Sequence, residues 1–246
     1  MAASATNEPL VNAERQDLAV PLPSSWDLAA LRALPVTLYG NKISPPCCKL
    51  RFLLQYFDVP FSSQEGKKPN SEYKKIPVLD IGDRQINDSY IIVKTLAPIL
   101  QGRELTPREL KIEEILTFEI MIALERDCAS STRSLCGCGS LLGGLKGFAL
   151  SSMAPAIAVC VAPRIGKDKN LQEVGAYGDY LKMELGSSPF FGGAEPGITD
   201  ASIYGVLLPF EAVGAECVTS LMGASPNPLR AWYDRMAEKA RGTNIF

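Results

Sequence analysis

The chain has 246 residues, of which 46% are hydrophobic and 21% charged, and its formal net charge is −2 at pH 7. This length and composition suffice for one or two domains with a substantial core, and the slightly acidic balance argues against a nucleic-acid partner. The sequence contains no histidine. That absence excludes Ser-His-Asp and Cys-His catalysis, histidine-containing zinc sites and haem ligation by histidine.

The cysteines are seven in number and irregularly spaced. They are Cys47, Cys48, Cys128, Cys136, Cys138, Cys160 and Cys217. An odd count without regular spacing indicates neither a disulfide framework nor a zinc site, so we expect no bound metal and a reducing compartment.

Residues 1–35 carry Asn, Glu, Asp and Ser side chains and several prolines, and Arg15 is the only basic residue before Arg32. The segment therefore lacks both the charged and apolar regions of a signal peptide and the arginine-rich pattern of a transit peptide. We expect a flexible or loosely docked extension over 1–35 and a cytoplasmic protein.

The first regular elements are a strand and a helix. The β-branched and aromatic run Val36–Tyr39 gives way to Gly40–Asn41, as a buried strand does before a turn. Pro45 and Pro46 suit the first turn of a helix, because their missing N–H groups would have no partner there. The apolar residues that follow at helical spacing are Leu50, Leu53, Leu54 and Phe57.

Ser44 falls near the N-cap of this helix, which leaves two interpretations of its hydroxyl. It could accept hydrogen bonds from the free N–H groups of the first turn, as capping residues do. It could instead donate to a ligand thiolate held at the positive end of the helix dipole. The residues alone leave both open.

A β-hairpin is predicted next, with strands at Ile76–Ile81 and Arg84–Ile86 and a turn at Gly82–Asp83. Pro77 suits the start of a strand, because it cannot donate to the sheet, and its isomer is not readable from the sequence. After the hairpin, 87–89 (Asn-Asp-Ser) can cap the helix of 90–99. The same N–H groups could hold a ligand carboxylate instead.

Taken together, these segments resemble the glutathione transferase superfamily, and most closely its type 2 prostaglandin E synthase family. The N-terminal phrases that carry the resemblance are Leu38-Tyr39, Ser44-Pro45-Pro46-Cys47-Cys48-Lys49-Leu50-Arg51, Tyr73-Lys74-Lys75-Ile76-Pro77-Val78-Leu79 and Asn87-Asp88-Ser89-Tyr90-Ile91-Ile92. The C-terminal ones are Phe190-Phe191-Gly192-Gly193, Pro196, Asp200, Tyr204-Gly205-Val206-Leu207 and Trp232-Tyr233. The resemblance covers roughly 36–240.

This resemblance implies an α/β plus all-α fold. A thioredoxin-like, glutathione-binding domain would span 36–101, and an all-helical domain would span 102–246. It also implies glutathione as the cosubstrate. Ile76, before a cis Pro77, would pair its backbone with the cysteinyl unit, and Asp88 and Ser89 would receive the γ-glutamyl end.

The glycyl carboxylate of glutathione needs a cation, and three lysines are candidates. Lys42, or one of Lys74 and Lys75, could meet it, although a solvated surface position is the favoured interpretation for each of them.

The sequence departs from the family at the reactive position. The usual Cys-x-x-Cys is replaced by Ser44 and Cys47, and Asn41 stands where the family has a tyrosine. A hydroxyl cannot form a disulfide, so two-cysteine reductase chemistry is not expected. Ser44 can still polarise the sulfur of bound glutathione, as in serine-type transferases, so that glutathione is the nucleophile towards an apolar electrophile or an endoperoxide.

Three alternatives stay open at this stage. Cys47 could act as a monothiol reductase, or it could be buried together with Cys48, since free cysteine is among the most buried residue types. The chain could also be a scaffold of this fold without catalytic activity. The expected partners are small apolar or lipid-derived substrates, a second copy in a homodimer and, at most, a membrane surface.

Helices are predicted in the second half. A capping box at Thr106–Glu109 opens one that runs to Cys128, and others are indicated at Leu171–Leu185, Asp200–Leu208 and Pro228–Ala240. In the family, the equivalent of Asp200 fixes its buried helix, so we assign Asp200 to folding.

Leu141–Val161 is a long apolar stretch with Lys146 as its only charge. It is long enough to span a bilayer, but the lysine and the many small residues disfavour insertion. The resemblance implies a buried helix of the second domain instead, beside the electrophile cleft.

Overall fold

The computed structural model describes residues 22–128, 171–212, 214–224 and 226–241. Its first half contains four strands and three helices. These elements are α1 (Leu28–Ala33), β1 (Val36–Tyr39), α2 (Pro45–Tyr56), β2 (Ser62–Gln64), β3 (Val78–Ile81), β4 (Arg84–Asn87) and α3 (Ser89–Gln101). Helices follow, namely α4 (Pro107–Ile115), a π-helical turn (Leu116–Ile120) with helical residues 121–128, α5 (Val174–Leu185), α6 (Ile198–Ala212), α7 (Glu216–Met222) and α8 (Pro228–Lys239).

The strands form one four-stranded sheet in the order β2-β1-β3-β4. β1 is parallel to β2 and antiparallel to β3, and β3 is antiparallel to β4. This is a βαβ unit followed by a ββα unit, as the thioredoxin-like prediction requires. The predicted hairpin turn is present, and Gly82 adopts a φ of 62° there, a conformation that favours glycine.

α2 connects the sheet to the helical half of the molecule. It packs along α6, and the contact is so close that a Cβ at Gly205 would lie 2.8 Å from the Cα of Lys49. The aromatic rings of Phe52 and Tyr204 meet across the same interface, with centroids 4.9 Å apart. The position of α2, and of the residues that open it, is therefore fixed by both halves of the chain.

α6 is the central helix of the second half. It contacts α2, α3, α4, α7 and α8, and nearly every residue of it is buried. A helix that is apolar on all sides is expected in such a position. Asp200, near its start, has no exposed surface and accepts hydrogen bonds from the backbone N–H groups of Phe191, Gly192 and Gly197 and from Trp232 Nε1.

The helix predictions are confirmed with small changes at the ends. The capping box is formed, with Thr106 and Glu109 exchanging hydrogen bonds and Pro107 in the first turn. Asn227 caps α8, since its side chain accepts from the N–H of Leu229. The helix from Pro107 is interrupted by the π-helical turn, which the sequence interpretation did not include.

The predicted extension over 1–35 contains regular structure in its last part. Leu28–Ala33 form α1, capped by Asp27, and Leu31 has no exposed surface. Residues 1–21 lie outside the described part of the chain. So do Leu141–Val161, with both interpretations of it, and Cys136, Cys138 and Cys160. Within the described ranges, no helix combines the length and hydropathy needed to span a bilayer.

Candidate functional site

The N-termini of α2 and α3, where the sequence places the candidate ligand-binding residues, lie together at one edge of the sheet, formed by the ends of its strands. Tyr39 pairs with Val78, and Val78 pairs with Asn87. The next residues outwards, Gly40, Pro77 and Asp88, are therefore neighbours, and the Asp88 N–H donates to the Pro77 carbonyl at 3.3 Å. Because α2 follows β1 and α3 follows β4, this edge gathers the loop before α2, the Ile76–Pro77 step and the start of α3.

Ser44 is the N-cap residue of α2, as the sequence predicts. Its carbonyl accepts from the N–H groups of Cys47 and Cys48 at 2.9 and 2.8 Å. Its side chain, however, makes no capping hydrogen bond. The hydroxyl lies instead beside the Cys47 thiol, and that contact lowers the thiol pKa. Of the two interpretations, capping by the hydroxyl is not the arrangement in this structure.

Cys47 and Cys48 both have no exposed surface. Burial raises the pKa of Cys47 to about 11, although the contacts of its thiol with Ser44, Arg51 and Asn41 oppose the shift. Burial likewise raises the pKa of Cys48 to about 12, and the Cys48 Sγ contacts the Lys42 carbonyl at 2.9 Å. A thiol of this kind is a poor nucleophile at neutral pH, because the thiolate is the reactive form. The geometry thus favours burial over a reductase role for Cys47.

Gly40 provides the space that Cys47 occupies. A Cβ at Gly40 would lie 2.3 Å from the Cys47 Sγ and 3.8 Å from the Ile76 Cβ. The end of β1, the first turn of α2 and the Ile76 side chain are therefore in direct proximity, and only glycine fits at the centre of them.

The Ile76–Pro77 peptide bond is cis. Ile76 is partly exposed, and within the described part of the chain no turn, cap or side-chain hydrogen bond involves its backbone N–H or carbonyl. Backbone polar groups are normally paired with protein or water. The Ile76 backbone is accordingly available to an extended ligand that runs along the edge of the sheet.

Asp88 is the N-cap of α3, and one oxygen of its carboxylate accepts from the Tyr90 N–H at 2.9 Å. The capping interpretation of this residue is confirmed. Asp88 has a φ of 70°, which is uncommon for a residue with a side chain and is concentrated at functional sites. Ser89 follows it and is buried.

The three candidate lysines are exposed. Lys42 lies in the loop before Ser44, and its backbone carbonyl accepts a hydrogen bond from the Cys48 thiol. The Lys74 ammonium donates to the Ser71 carbonyl at 2.6 Å, so it already has a partner.

Arg51 is a residue of this site that sequence reasoning missed. It is only 4% exposed, and its guanidinium donates to the carbonyls of Gly40 and Asn41. Its spacing indicates which face of α2 it shares, because Arg51 lies seven residues after Ser44, but the spacing does not indicate that the side chain is buried.

An aromatic pair joins this edge to the helical half. The rings of Tyr90, at the start of α3, and Phe118, in the π-helical turn, have centroids 5.4 Å apart. Burial raises the pKa of Tyr90, and Glu114 and Glu113 add to the effect. Both rings are partly exposed, so they offer apolar surface next to Asp88 and Ser89.

Comparison with known proteins gives matches in both sequence and fold. Residues 166–235 match the model of the glutathione S-transferase C-terminal domain. Prostaglandin E synthase 2 of Mus musculus is 30% identical over 118 residues, which cover 44% of this chain and 27% of that protein. Prostaglandin E synthase 2 of Danio rerio is 33% identical over 90 residues, covering 34% of this chain and 22% of that protein. The chain thus spans about a quarter of the length of these curated relatives.

Solved structures share the fold at low identity. A glutathione transferase from Populus trichocarpa has a TM-score of 0.52 and 13% identity, with 85% of this chain and 99% of that chain covered. A glutathione S-transferase from Pseudomonas fluorescens has a TM-score of 0.51 and 17% identity, with 86% and 98% covered. Both have the arrangement found here, a thioredoxin-like domain followed by helices. The chain thus shares the fold of glutathione transferases, matches their C-terminal domain over 166–235, and is similar in sequence to part of prostaglandin E synthase 2.

Proposed function

We propose that the chain is a glutathione-binding enzyme that holds the tripeptide along the Ile76–Pro77 edge, with Ser44 next to its sulfur. Ile76 would pair its backbone with the cysteinyl unit. Asp88 would accept the γ-glutamyl ammonium, while Ser89 and the first N–H groups of α3 would donate to the γ-glutamyl carboxylate. Lys42 is the candidate for the glycyl end.

The observation that carries the proposal is the Ile76 backbone, which has no partner among the described residues and adjoins two helix N-termini. An extended peptide can satisfy such a backbone by pairing its own N–H and carbonyl groups with those of Ile76. The N–H groups at a helix N-terminus favour anions such as a carboxylate or a thiolate. Glutathione offers an extended backbone, carboxylates and a thiol together.

Ser44 is the residue that we assign to catalysis. Its hydroxyl is not used as a cap but contacts the Cys47 thiol, and by turning from that thiol it could donate to a ligand sulfur anion at the positive end of α2. Bound glutathione would supply the nucleophilic thiolate, and the partly exposed rings of Tyr90 and Phe118 would flank an apolar substrate. Cys47 has no part in this scheme, because its thiol is buried and has a raised pKa.

Binding is tested by titration calorimetry with glutathione. Wild type should bind saturably, and Asp88→Ala should weaken binding at least tenfold, because a charge-assisted hydrogen bond to the ammonium is lost. Asp83→Ala is the matched control, since Asp83 is an exposed carboxylate in the β3–β4 turn. No binding to folded wild type would contradict the proposal and favour the non-catalytic scaffold.

Catalysis is tested with small apolar electrophiles and with an endoperoxide, in the presence of glutathione. Ser44→Ala should reduce kcat by about 10²-fold while leaving glutathione affinity within about twofold. Ser187→Ala, on an exposed loop, is the control, and Cys47→Ala should keep full activity. Unchanged turnover in Ser44→Ala would refute the role of the hydroxyl.

Consumption of glutathione separates two reactions. A transferase joins glutathione to its electrophile and consumes it in equal amount. An isomerase, as the name of the mouse and zebrafish relatives suggests for those proteins, returns it unchanged. We propose transfer as the first activity to assay and endoperoxide isomerisation as the second.

A further inference from the structure

Arg51 places a buried positive charge behind the first turn of α2. Side chains on a helix lean towards its N-terminus, so a long residue two turns into α2 reaches back to the start of the helix. The Arg51 guanidinium donates to the Asn41 carbonyl at 3.1 Å, to the Gly40 carbonyl at 3.4 Å and to Ser63 Oγ at 3.4 Å. Its charge is thereby held beside the loop that leads to Ser44.

Among the described residues, the hydrogen-bond partners of this guanidinium are neutral groups, namely oxygens of Gly40, Asn41 and Ser63 and the Cys48 thiol. Arginine stays protonated in proteins, and a buried charge is costly unless an opposite charge compensates it. In the part of the chain that the structure describes, the other two cationic side chains that are strongly buried each have a carboxylate within reach: Lys49 has Glu113, and Lys68 has Asp80. Arg51 differs, because its side chain is buried at the one place where an anionic ligand is expected.

The charge of Arg51 acts on the thiols that surround it. It lowers the pKa of Cys47 and of Cys48, against the larger effect of burial on both. The other charged groups nearby are Glu65, which is exposed and raises the pKa of Cys47, and Lys42 in the exposed loop. Arg51 therefore favours a sulfur anion at the first turn of α2, and a ligand sulfur that is less buried than Cys47 and Cys48 would feel this effect with a smaller opposing cost of burial.

We propose that Arg51 is a positioning residue of the glutathione site, acting through its charge to keep the ligand sulfur ionised next to Ser44. The inference rests on the proposed function and deepens it, because it identifies the counter-charge for the thiolate. Ser44 would donate a hydrogen bond to the sulfur, and the positive charge of Arg51 would stabilise the thiolate electrostatically.

The test places a reporter thiol at the site by Ser44→Cys. The pKa of that thiol is read from the pH dependence of its alkylation by iodoacetamide, with peptide mass spectrometry to separate it from Cys47 and Cys48. Adding Arg51→Gln should raise the reporter pKa by about one unit, which is a tenfold loss of alkylation rate below the pKa. Adding Arg51→Lys, which keeps the charge, should restore most of the original value.

Folding of each variant is checked by circular dichroism and by thermal unfolding. Arg51→Met is the second charge-removing variant, because an apolar side chain of similar length can fill the buried space if Arg51→Gln does not fold. A reporter pKa that is the same in wild-type, Gln and Met backgrounds would overturn the inference. The inference would also be overturned if Arg51→Lys raised the reporter pKa as much as Arg51→Gln does. Lysine keeps the charge, so the geometry of the side chain and not its charge would then set the pKa.

Calorimetry on the same backgrounds with Ser44 intact separates this inference from the proposed function. If glutathione binds and its thiolate absorbance titrates identically with and without Arg51, the proposed function stands and the inference fails. If glutathione does not bind but the reporter thiol depends on Arg51, the proposed function fails while the charge effect stands.

Discussion

Lys49 and Glu113 form an ion pair that is almost completely removed from solvent. The Lys49 Nζ lies 2.5 Å from Glu113 Oε1, and the two side chains are 0% and 3% exposed. The ammonium also donates to Thr117 Oγ1 at 2.9 Å, in the π-helical turn. Because Lys49 belongs to α2 and the other two residues to the helical half, this cluster links the helix that begins at Ser44 to the second half of the chain.

Removing one partner of this pair should be much worse than removing both. We expect Lys49→Met to lower the free energy of unfolding by about 3–5 kcal/mol, because it leaves the Glu113 carboxylate buried and uncompensated. Lys49→Met with Glu113→Leu should recover most of that loss, since apolar replacement of a buried pair is often neutral or stabilising. Urea unfolding of the single and double variants measures both values.

Lys111→Met is the control for the pair. It removes a lysine whose ion pair with Glu114 is exposed, and such pairs contribute less than about 1 kcal/mol. Equal losses in Lys49→Met and Lys111→Met, or a double variant no better than the single one, would show that the buried pair carries no special energetic weight.

The contact between Gly40 and Cys47 predicts a second coupling. Gly40→Ala should destabilise the protein by about 1–3 kcal/mol, because its Cβ would lie 2.3 Å from the Cys47 Sγ. Adding Cys47→Ala removes that sulfur and should restore part of the loss. A double-mutant cycle in urea measures the coupling, and additive effects of the two changes would contradict the packing argument.

The sequence was sufficient for the elements whose signals are local. The strand at Val36–Tyr39, the prolines that open α2, the hairpin turn and the capping box at Thr106 each follow from residue chemistry within a few positions. α1 was not predicted, because a six-residue helix is too short for a periodic signal and is held by the burial of Leu31.

Features that depend on tertiary packing were not predictable in the same way. Lysine and arginine are normally exposed, so nothing local marks Lys49 and Arg51 as buried, and it is α6 packing along α2 that covers Lys49. The gathering of Gly40, Pro77 and Asp88 at one edge similarly depends on strand register, which is known only once the strands are paired.

The spacing of apolar residues in the sequence indicates the π-helical turn, although the helix prediction did not take it into account. Ile112, Leu116, Ile120 and Leu124 recur every four residues and are all buried. An α-helix turns by about 100° per residue, so Leu124 would point about 120° away from Ile112. A wider turn between them offsets most of that drift, and the strict spacing of four therefore favours a π-helical turn.

Glu109 predicts a pH dependence of stability in acid. Burial raises the pKa of this carboxyl, but hydrogen bonds from Arg103 and from the N–H and hydroxyl of Thr106 outweigh burial and leave the pKa below its ordinary value. A carboxyl with a lowered pKa in the folded state stabilises the protein above its unfolded-state pKa of about 4.3, and this contribution is lost as the pH falls through the folded-state value.

Glu109→Gln should therefore cost about 1 kcal/mol at pH 7, and the difference from wild type should shrink as the pH falls below about 4. Urea unfolding of the two proteins between pH 7 and pH 3 measures it. Glu104→Gln, an exposed residue in the same loop, should show no such difference. A gap between wild type and Glu109→Gln that persists at the lowest pH would disprove the linkage.

Asp200 provides the final test, which separates folding from function. Its carboxylate is the common acceptor for three backbone N–H groups and for Trp232 Nε1. Asp200→Ala would leave these donors buried without a partner, at about 1–3 kcal/mol for each such group, so we expect a loss of at least 3 kcal/mol in the free energy of unfolding. Asp179→Asn, at an exposed pair with Lys182, should change it by less than about 0.5 kcal/mol.

None of the hydrogen-bond partners of Asp200 belongs to the proposed glutathione site, which is formed by the loop before α2, the Ile76–Pro77 step and the start of α3. Asp200→Ala protein that is still folded at low temperature should therefore bind glutathione with wild-type affinity, as calorimetry can measure. If Asp200→Ala had normal stability but had lost glutathione affinity, we would assign Asp200 to the ligand site and not to the folding of α6. Normal affinity with a large loss of stability is the outcome that its buried hydrogen bonds predict.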